Sequence, residues 1–345
     1  MAMLFVEGFD HVGPSYLPAK GWTWSVAPSV STSLGRTTPG GALNPWQQNH
    51  AASKVVPGSP STIVLGFAVA VYGSTVNANR SIVRFMEGAT THVSVGWDMH
   101  KNLCIWQGDM TTLLANTEYV FKVGGSPVDY HYVEIELTVS DTAGVLKVWI
   151  DEAPRVNLSG IDTRNGGAGV IDKLNLGLTS PAGLDVLIDD LYCLDKTGTV
   201  NNARLGDCSV HTLFPVADLT ANWTPSTGTV RWSLLDEQQV NTNTDYISAG
   251  GSAQELFTVK AHPTARAINV HTIQTSAIGM RDDATARDLK VLVRPVSTIY
   301  KGPALATTST YGTPVSTLMM ETNPETGLKW TKAEYNATAF GVEHV

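Results

Sequence analysis

Glu134 and Glu136 lie two residues apart in HYVEIELTVS (131–140). Residues i and i+2 of a strand share a face about 7 Å apart, within the roughly 5 to 10 Å that separates the two carboxylates of a glycan-cleaving pair. Such a pair needs one carboxyl held protonated, and these two read as solvated glutamates on the outer face of a sheet. Asp189 and Asp190, with Asp10 brought near if the first and last strands pair, could supply oxygen ligands for Ca²⁺. Adjacent strand residues point to opposite faces, so only one of the two can aim inward without a bulge. Trp22, Trp24 and Trp46 lie in a Gly/Pro/Ser-rich stretch, and Trp97 and Trp106 flank the turn DMHKN (98–102). Exposed tryptophans of this sort stack on sugar rings or anchor an interface, and more often such residues cover a sandwich core. The nine histidines show no HxH or HExxH spacing, and GxSxG, GxGxxG and Walker loops are absent. Metal, serine and nucleotide chemistry therefore lack support, and no catalytic residue is assigned.

The elements that must position these residues are strands. In 131–140, Val133, Ile135, Leu137 and Val139 take one face and Glu134, Glu136, Thr138 and Ser140 the other, the period of a half-buried strand. A turn at 141–144 follows, and VLKVWID (145–151) returns with Leu146, Val148 and Ile150 on one side, as in an antiparallel hairpin. Similar strands are expected at 3–10, 62–72, 80–86, 91–98, 102–107 and 186–194. In the second half they are expected at 207–214, 229–235, 254–260, 266–275, 287–296 and 313–321.

Composition agrees. Charged residues are 16% of the chain and glycine is plentiful (31), the usage of short strands joined by many turns. A chain of 345 residues has the length of about two domains, each burying its own core. The polar run DKTGTVNNAR (195–204) reads as a connector, which sets the domains at 1–197 and 198–345. A net charge of −8 with no Lys/Arg cluster gives no footprint for nucleic acid. The longest apolar stretch, IVLGFAVAVY (63–72), is shorter than the roughly 18 to 20 residues a spanning helix needs, and the first residues do not read as a secretory signal. Three cysteines without CxxC spacing read as small buried apolar residues rather than a disulfide or zinc framework.

Two family resemblances touch these residues. The string Asp-Lys-Thr-Gly-Thr at 195–199 is the one that cation-pumping P-type ATPases carry around their phosphorylated aspartate. That chemistry needs a parallel strand in an α/β sheet and later loops supplying Mg²⁺ ligands and a lysine. No strand–helix alternation follows here, so Asp195 to Thr199 reads as a linker.

The second resemblance is broader. YHYVEIELTVSDTAGVLKVWIDE (130–152) followed by KLNLGLTSPAGLDVLIDDLYCLD (173–195) resembles the closing half of a concanavalin A-like, laminin-G-like jelly roll. The usual Val-Asp-Gly turn of that hairpin is here Asp151-Glu152-Ala153-Pro154. Together with MLFVEGFD (3–10), GRTTPGGAL (35–43), LGDCSVHTLFPVAD (205–218) and NPETGLKWTKAEYNATAFGVEHV (323–345), the arrangement is similar to virion structural proteins of tailed bacteriophages. Glucanases of the fold carry Glu-x-Asp-x-(x)-Glu on one strand, whereas Glu134-Ile135-Glu136 lacks the middle aspartate and the last glutamate.

The expectation is therefore an all-β chain of two β-sandwich domains, the first a concanavalin A-like jelly roll. The resemblance implies a non-enzymatic structural protein of a phage particle, in the virion, as a head decoration, collar or tail component. It would dock on other virion proteins as a homo-oligomer, and could touch a host-surface glycan. The alternative is a carbohydrate- or receptor-binding module, and a glycan hydrolase follows behind it. No cofactor is expected beyond the calcium that Asp10, Asp189 and Asp190 could hold.

Overall fold

The computed structural model describes residues 2–345 apart from 12, 25, 38–39, 46–50, 74–77, 121–128, 178–183, 238–243, 264–267 and 311–314. The chain is nearly all β, in several antiparallel sheets of sandwich-like arrangement. It divides into two compact units, Met1–Asp10 with Gly21–Val210, and His11–Lys20 with His211–Val345. The first unit thus extends past residue 197, because 204–210 bond to it.

In the first unit the strands are β1 (Met3–Glu7), β2 (Trp22–Trp24), β3 (Ser29–Ser31), β4 (Ala42–Asn44), β5 (Ala52–Val55), β6 (Thr62–Gly73), β7 (Arg80–Glu87) and β8 (Thr90–Trp97). They continue with β9 (Asn102–Gln107), β10 (Thr112–Val120), β11 (Tyr130–Thr138), β12 (Gly144–Ile150), β13 (Ala153–Ile161), β14 (Lys173–Leu176) and β15 (Leu184–Leu194). One sheet runs β13-β12-β11-β6-β15-β4-β3 with β1 on β15, and the other runs β10-β9-β8-β7-β14-β5-β2.

The hydrophobic pattern sets the register. Val133, Ile135 and Leu137 face Ile150, Val148 and Leu146 across the β11–β12 hairpin, and all six are buried. Each such side chain contributes about 1.5 to 3 kcal/mol when removed from water. β6 lacks polar alternation because both its faces are covered: Ile63, Val64, Leu65, Phe67, Ala68 and Val69 are all fully buried, as in a sheet-centre strand.

Local geometry departs from the sequence reading at several points. Asp151 and Glu152 both take positive φ, 50° and 66°, the pair of conformations of a two-residue hairpin turn. The loop is therefore two residues shorter than the expected turn at 151–154, and the chain continues from Ala153 as edge strand β13, where Pro154 is tolerated. β10 was also not foreseen. Residues 207–214 form no strand, and 229–235 holds the 3₁₀ turn Trp232–Leu234 instead of a strand.

The second unit contains β16 (Pro215–Asp218), β17 (Thr224–Pro225), β18 (Ile247–Ser248), β19 (Ala253–Val259), β20 (Ile273–Ile278), β21 (Asp288–Arg294), β22 (Tyr300–Lys301), β23 (Leu305–Ala306), β24 (Val315–Met320), α1 (Lys332–Ala337) and β25 (Ala339–His344). Its main sheet runs β16-β19-β25-β21-β22 with β23 on β21, beside the pairs β17–β18 and β20–β24. Ile273, Val293, Trp330 and Phe340 form a core cluster. α1 begins with a capping box, Thr331 and Glu334 exchanging bonds with each other's backbone N–H, which satisfies two helix-end donors. No described helix is long and apolar enough to cross a membrane.

Candidate functional site

Two polar constellations occur in the first unit, one on each sheet. On the first sheet, Glu134 (2% exposed) projects away from the Val133/Ile135 core face, and residues 204–210 lie over it. Its Oε2 bonds Arg204, and its Oε1 accepts from Tyr192 Oη and from the Gly206 backbone N–H at 2.9 Å. Arg204 also reaches Glu152 at 2.8 Å, and the Leu205 N–H donates to Tyr192 Oη at 3.2 Å. Burial, then the Glu134 charge, pushes the Tyr192 hydroxyl far above its ordinary pKa. Glu134 is thus a buried structural carboxylate, which corrects the reading of a solvated pair. Glu136 is half-buried and pairs with Lys196 at 2.8 Å and Lys147 at 3.6 Å, so the two glutamates share a face without facing a common open space.

Beside this clasp, β1 pairs antiparallel with β15, as the calcium reading required. A bulge separates Asp189 from Tyr192, with Asp190 at φ 51°, and it lets both aspartates serve one residue, Arg36. Asp189 accepts the Arg36 N–H at 2.8 Å and the Asp190 N–H at 2.7 Å. Asp190 accepts from the Arg36 guanidinium at 3.2 Å and the Val210 N–H at 2.6 Å. Asp10 accepts the Gly41 N–H at 2.6 Å. Arginine and backbone donors take the oxygens that a cation would need, and among the described residues no group of three or more His, Cys, Asp or Glu could hold a metal.

Burial, then the Asp190 charge, raises the Asp189 carboxyl to about 8, while the two N–H bonds pull it down. A folded value above the unfolded one means that the native chain keeps a proton the unfolded chain releases. The stabilisation is complete below about pH 4 and is lost as pH rises from there towards 8. Asp189→Asn cannot ionise, and is expected to flatten the fall in melting temperature between about pH 6 and 9. Equal slopes for the two proteins would contradict the assignment.

The remaining candidates disperse. Asp195 Oδ1 accepts from the Thr197 N–H at 2.9 Å and the Thr197 hydroxyl at 2.8 Å, a self-contained polar turn after β15. Trp22, Trp97 and Trp106 are buried, so none is free to stack on a ligand, and of the two roles expected for them they take the core-covering one. Trp24 is half-buried on β2, and Trp46 lies outside the described residues. Cys104 and Cys193 are buried and Cys208 is half-buried, all three as free thiols. Burial pushes Cys104 to about 11 and Cys208 to about 12, leaving unreactive thiols.

The second constellation was not found from the sequence. In the second sheet, Thr23 of β2 pairs with Ser53 of β5, Ser53 with Asn175 of β14, Asn175 with Arg84 of β7, Arg84 with Ser94 of β8, and Ser94 with Trp106 of β9. Directly paired residues project to the same face, so these six form one transverse row. Their neighbours Ala52, Leu174, Leu176, Val83, Phe85, Val93 and Val95 are buried in the core, which puts the row on the outer face. Asn175 Nδ2 donates to Ser53 Oγ at 3.1 Å. Arg84 Nε donates to Ser81 Oγ at 3.2 Å and lies 3.2 Å from Asp109.

At one end the turn 108–111 folds back over the row, Ser94 donating to the Gly108 carbonyl at 2.8 Å and accepting the Met110 N–H at 3.1 Å. This covers Ser94 and Trp106, while Arg84, Asn175 and Ser53 stay half-buried and Thr23 exposed. A row of hydroxyl, amide and guanidinium groups spaced by about 4.8 Å, the strand separation, can bond successive rings of a chain laid across the strands. The sequence signal was the polar residue between buried apolar ones in each strand. The pairing of six strands drawn from distant parts of the chain was not legible.

No protein-family model matches the chain, and no curated protein sequence matches it. Solved structures do. A Trypanosoma rangeli sialidase is 12% identical over 49% of this chain and 27% of its own, with a TM-score of 0.35. An alginate lyase is 9% identical over 55% and 95%, at 0.36. A carbohydrate esterase of the Shiga toxin-encoding bacteriophage phi24B is 14% identical over 55% and 99%, also at 0.36. The chain thus spans about a quarter of the sialidase. At these scores the likeness assigns no activity or ligand. It does correct the expectation that the chain is not an enzyme, since the structures resembled include glycan-active enzymes. That expectation rested on the resemblance to virion structural proteins and on an incomplete acid motif within one strand.

Proposed function

We propose that the first unit recognises carbohydrate through the outer face of its second sheet, and that it does so as part of a tailed-phage particle. The row Thr23–Ser53–Asn175–Arg84–Ser94–Trp106 carries the reading. Its uncovered members, Thr23, Ser53, Asn175 and Arg84, offer hydroxyl, amide and guanidinium groups on a rigid sheet face, the arrangement that holds a polyhydroxylated chain without any loop having to order. The particle assignment rests on the resemblance of 130–152, 173–195 and 323–345 to virion proteins of tailed phages. Such proteins act as symmetric copies, and several weak glycan contacts per particle add up to firm attachment.

A screen of oligosaccharides against the full chain tests the site. Asn175→Ala removes one bonding group and is expected to weaken binding about tenfold, whereas Ser53→Trp places a ring across the row and should abolish it. Both variants are checked for an unchanged melting temperature, and sugar release is followed in the same assay. Binding undiminished in two folded variants would contradict the site, and failure to co-sediment with particles from the same source would contradict the virion role.

A further inference from the structure

We infer that the glycan taken by this face is acidic, its carboxylate received by Arg84 and flanked by Lys173. The inference rests on the reading of the face as a carbohydrate site and adds the substrate class.

Arg84 is 15% exposed at its side chain. Its Nε is committed to Ser81 Oγ and to Asp109, but among the described residues no acceptor meets Nη1 or Nη2. Loss of solvation lowers the guanidinium's pKa, and Asp109 opposes that only in part, being itself half exposed to water (51%). A planar fork with both outer nitrogens open fits the two oxygens of a carboxylate, in the strongest kind of neutral-pH hydrogen-bonded pair.

The neighbours fit the rest of a sugar acid. Directly across the strand from Arg84, Asn175 Oδ1 has no donor among the described residues; it is buried, so a ring hydroxyl reaches it once the amide turns outward from Ser53. Lys173 lies two residues before Asn175, on the same face, and gives one bond, 2.6 Å, to the Gly88 carbonyl; an ammonium has two more donors. The other acids at that end, Asp172 and Glu87, are occupied by backbone N–H groups of Gly88 and of Ala168, Gly169 and Val170. Two cations with open donors thus stand on one face of a chain whose net charge is −8.

The test pairs acidic oligosaccharides with their carboxyl-reduced forms: hexamers of galacturonate, guluronate and mannuronate, and oligosialic acid, titrated into the full chain. At least one acid is expected to bind about tenfold or more tightly than its reduced form, with the preference shrinking as salt rises. Arg84→Gln should erase the preference for the acid over its reduced form, and weaken the reduced form by no more than the loss of one bonding group. Ser53→Trp should remove both. Equal binding of acid and reduced forms, or a preference that survives Arg84→Gln, would overturn the acidic ligand while leaving the carbohydrate site standing. If neither the acids, nor their reduced forms, nor any neutral oligosaccharide binds, the carbohydrate reading itself falls and this inference falls with it.

Discussion

Replacing Gly66 by valine is expected to abolish the folded first unit. A Cβ at this position would lie 2.1 Å from Cε1 and 2.6 Å from Cζ of the Tyr192 ring, distances that no packed pair adopts. The ring cannot step aside, because its hydroxyl is fixed by Glu134 and the Leu205 N–H and Tyr192, Cys193 and Leu194 pair with Gly66, Leu65 and Val64 of β6. Overpacking of a rigid core costs about 1 to 3 kcal/mol or more, and one or two kcal/mol is a large share of a domain's stability. Gly66→Ala should lower the melting temperature substantially and Gly66→Val should leave no soluble folded protein. A valine variant melting at the native temperature would mean that Tyr192 does not occupy this place.

The second large effect is expected from Glu134→Ala. It removes the acceptor shared by Arg204, Tyr192 and the Gly206 N–H and strands their polar groups under the 204–210 segment. Breaking a buried ion pair from one side costs about 3 to 5 kcal/mol; with Arg204 28% exposed, the lower figure applies. The segment should also come loose locally, since it has no strand pairing of its own. Limited trypsin digestion is expected to cut after Arg204 in the variant and not in the native protein. An uncut variant of native stability would show that the clasp does not hold the segment.

The legible part of this fold was local or strongly periodic. Alternation in 131–140 and 145–151 gave the β11–β12 hairpin with its core face, and the apolar run 63–72 gave a strand, whose central place in the sheet came only from the structure. RDLKVLVR gave β21, with Leu289, Val291 and Val293 buried. Pairing of the first strand with the last, inferred from the resemblance, did bring Asp10 close enough to act electrostatically on Asp189. What could not be read depends on long-range pairing. The bulge at Asp190 follows from how β15 lies on β6, and it turned two aspartates with opposite expected directions towards Arg36. Residues 207–214 have a strand's composition but form no strand, and 204–210 serve as a cover, since the donors that hold them point to Glu134, Glu152 and Asp190, up to 72 residues away. Local sequence left both a ligand-facing and a core-covering role open for the tryptophans, because the partners that bury Trp22, Trp97 and Trp106 come from other strands. The row across the second sheet is the extreme case: each member is one polar residue in an ordinary amphipathic strand, and only the register makes them a site.

The central claim is that this outer face binds carbohydrate, and amide hydrogen exchange on the full chain tests it most directly. Exchange is compared with and without a saturating concentration of the tightest-binding oligosaccharide from the screen. The account predicts slowed exchange in 52–55, 80–87 and 173–176, the strands that carry Ser53, Arg84 and Asn175. Protection confined to segments outside the second sheet, or none at saturation, would contradict it.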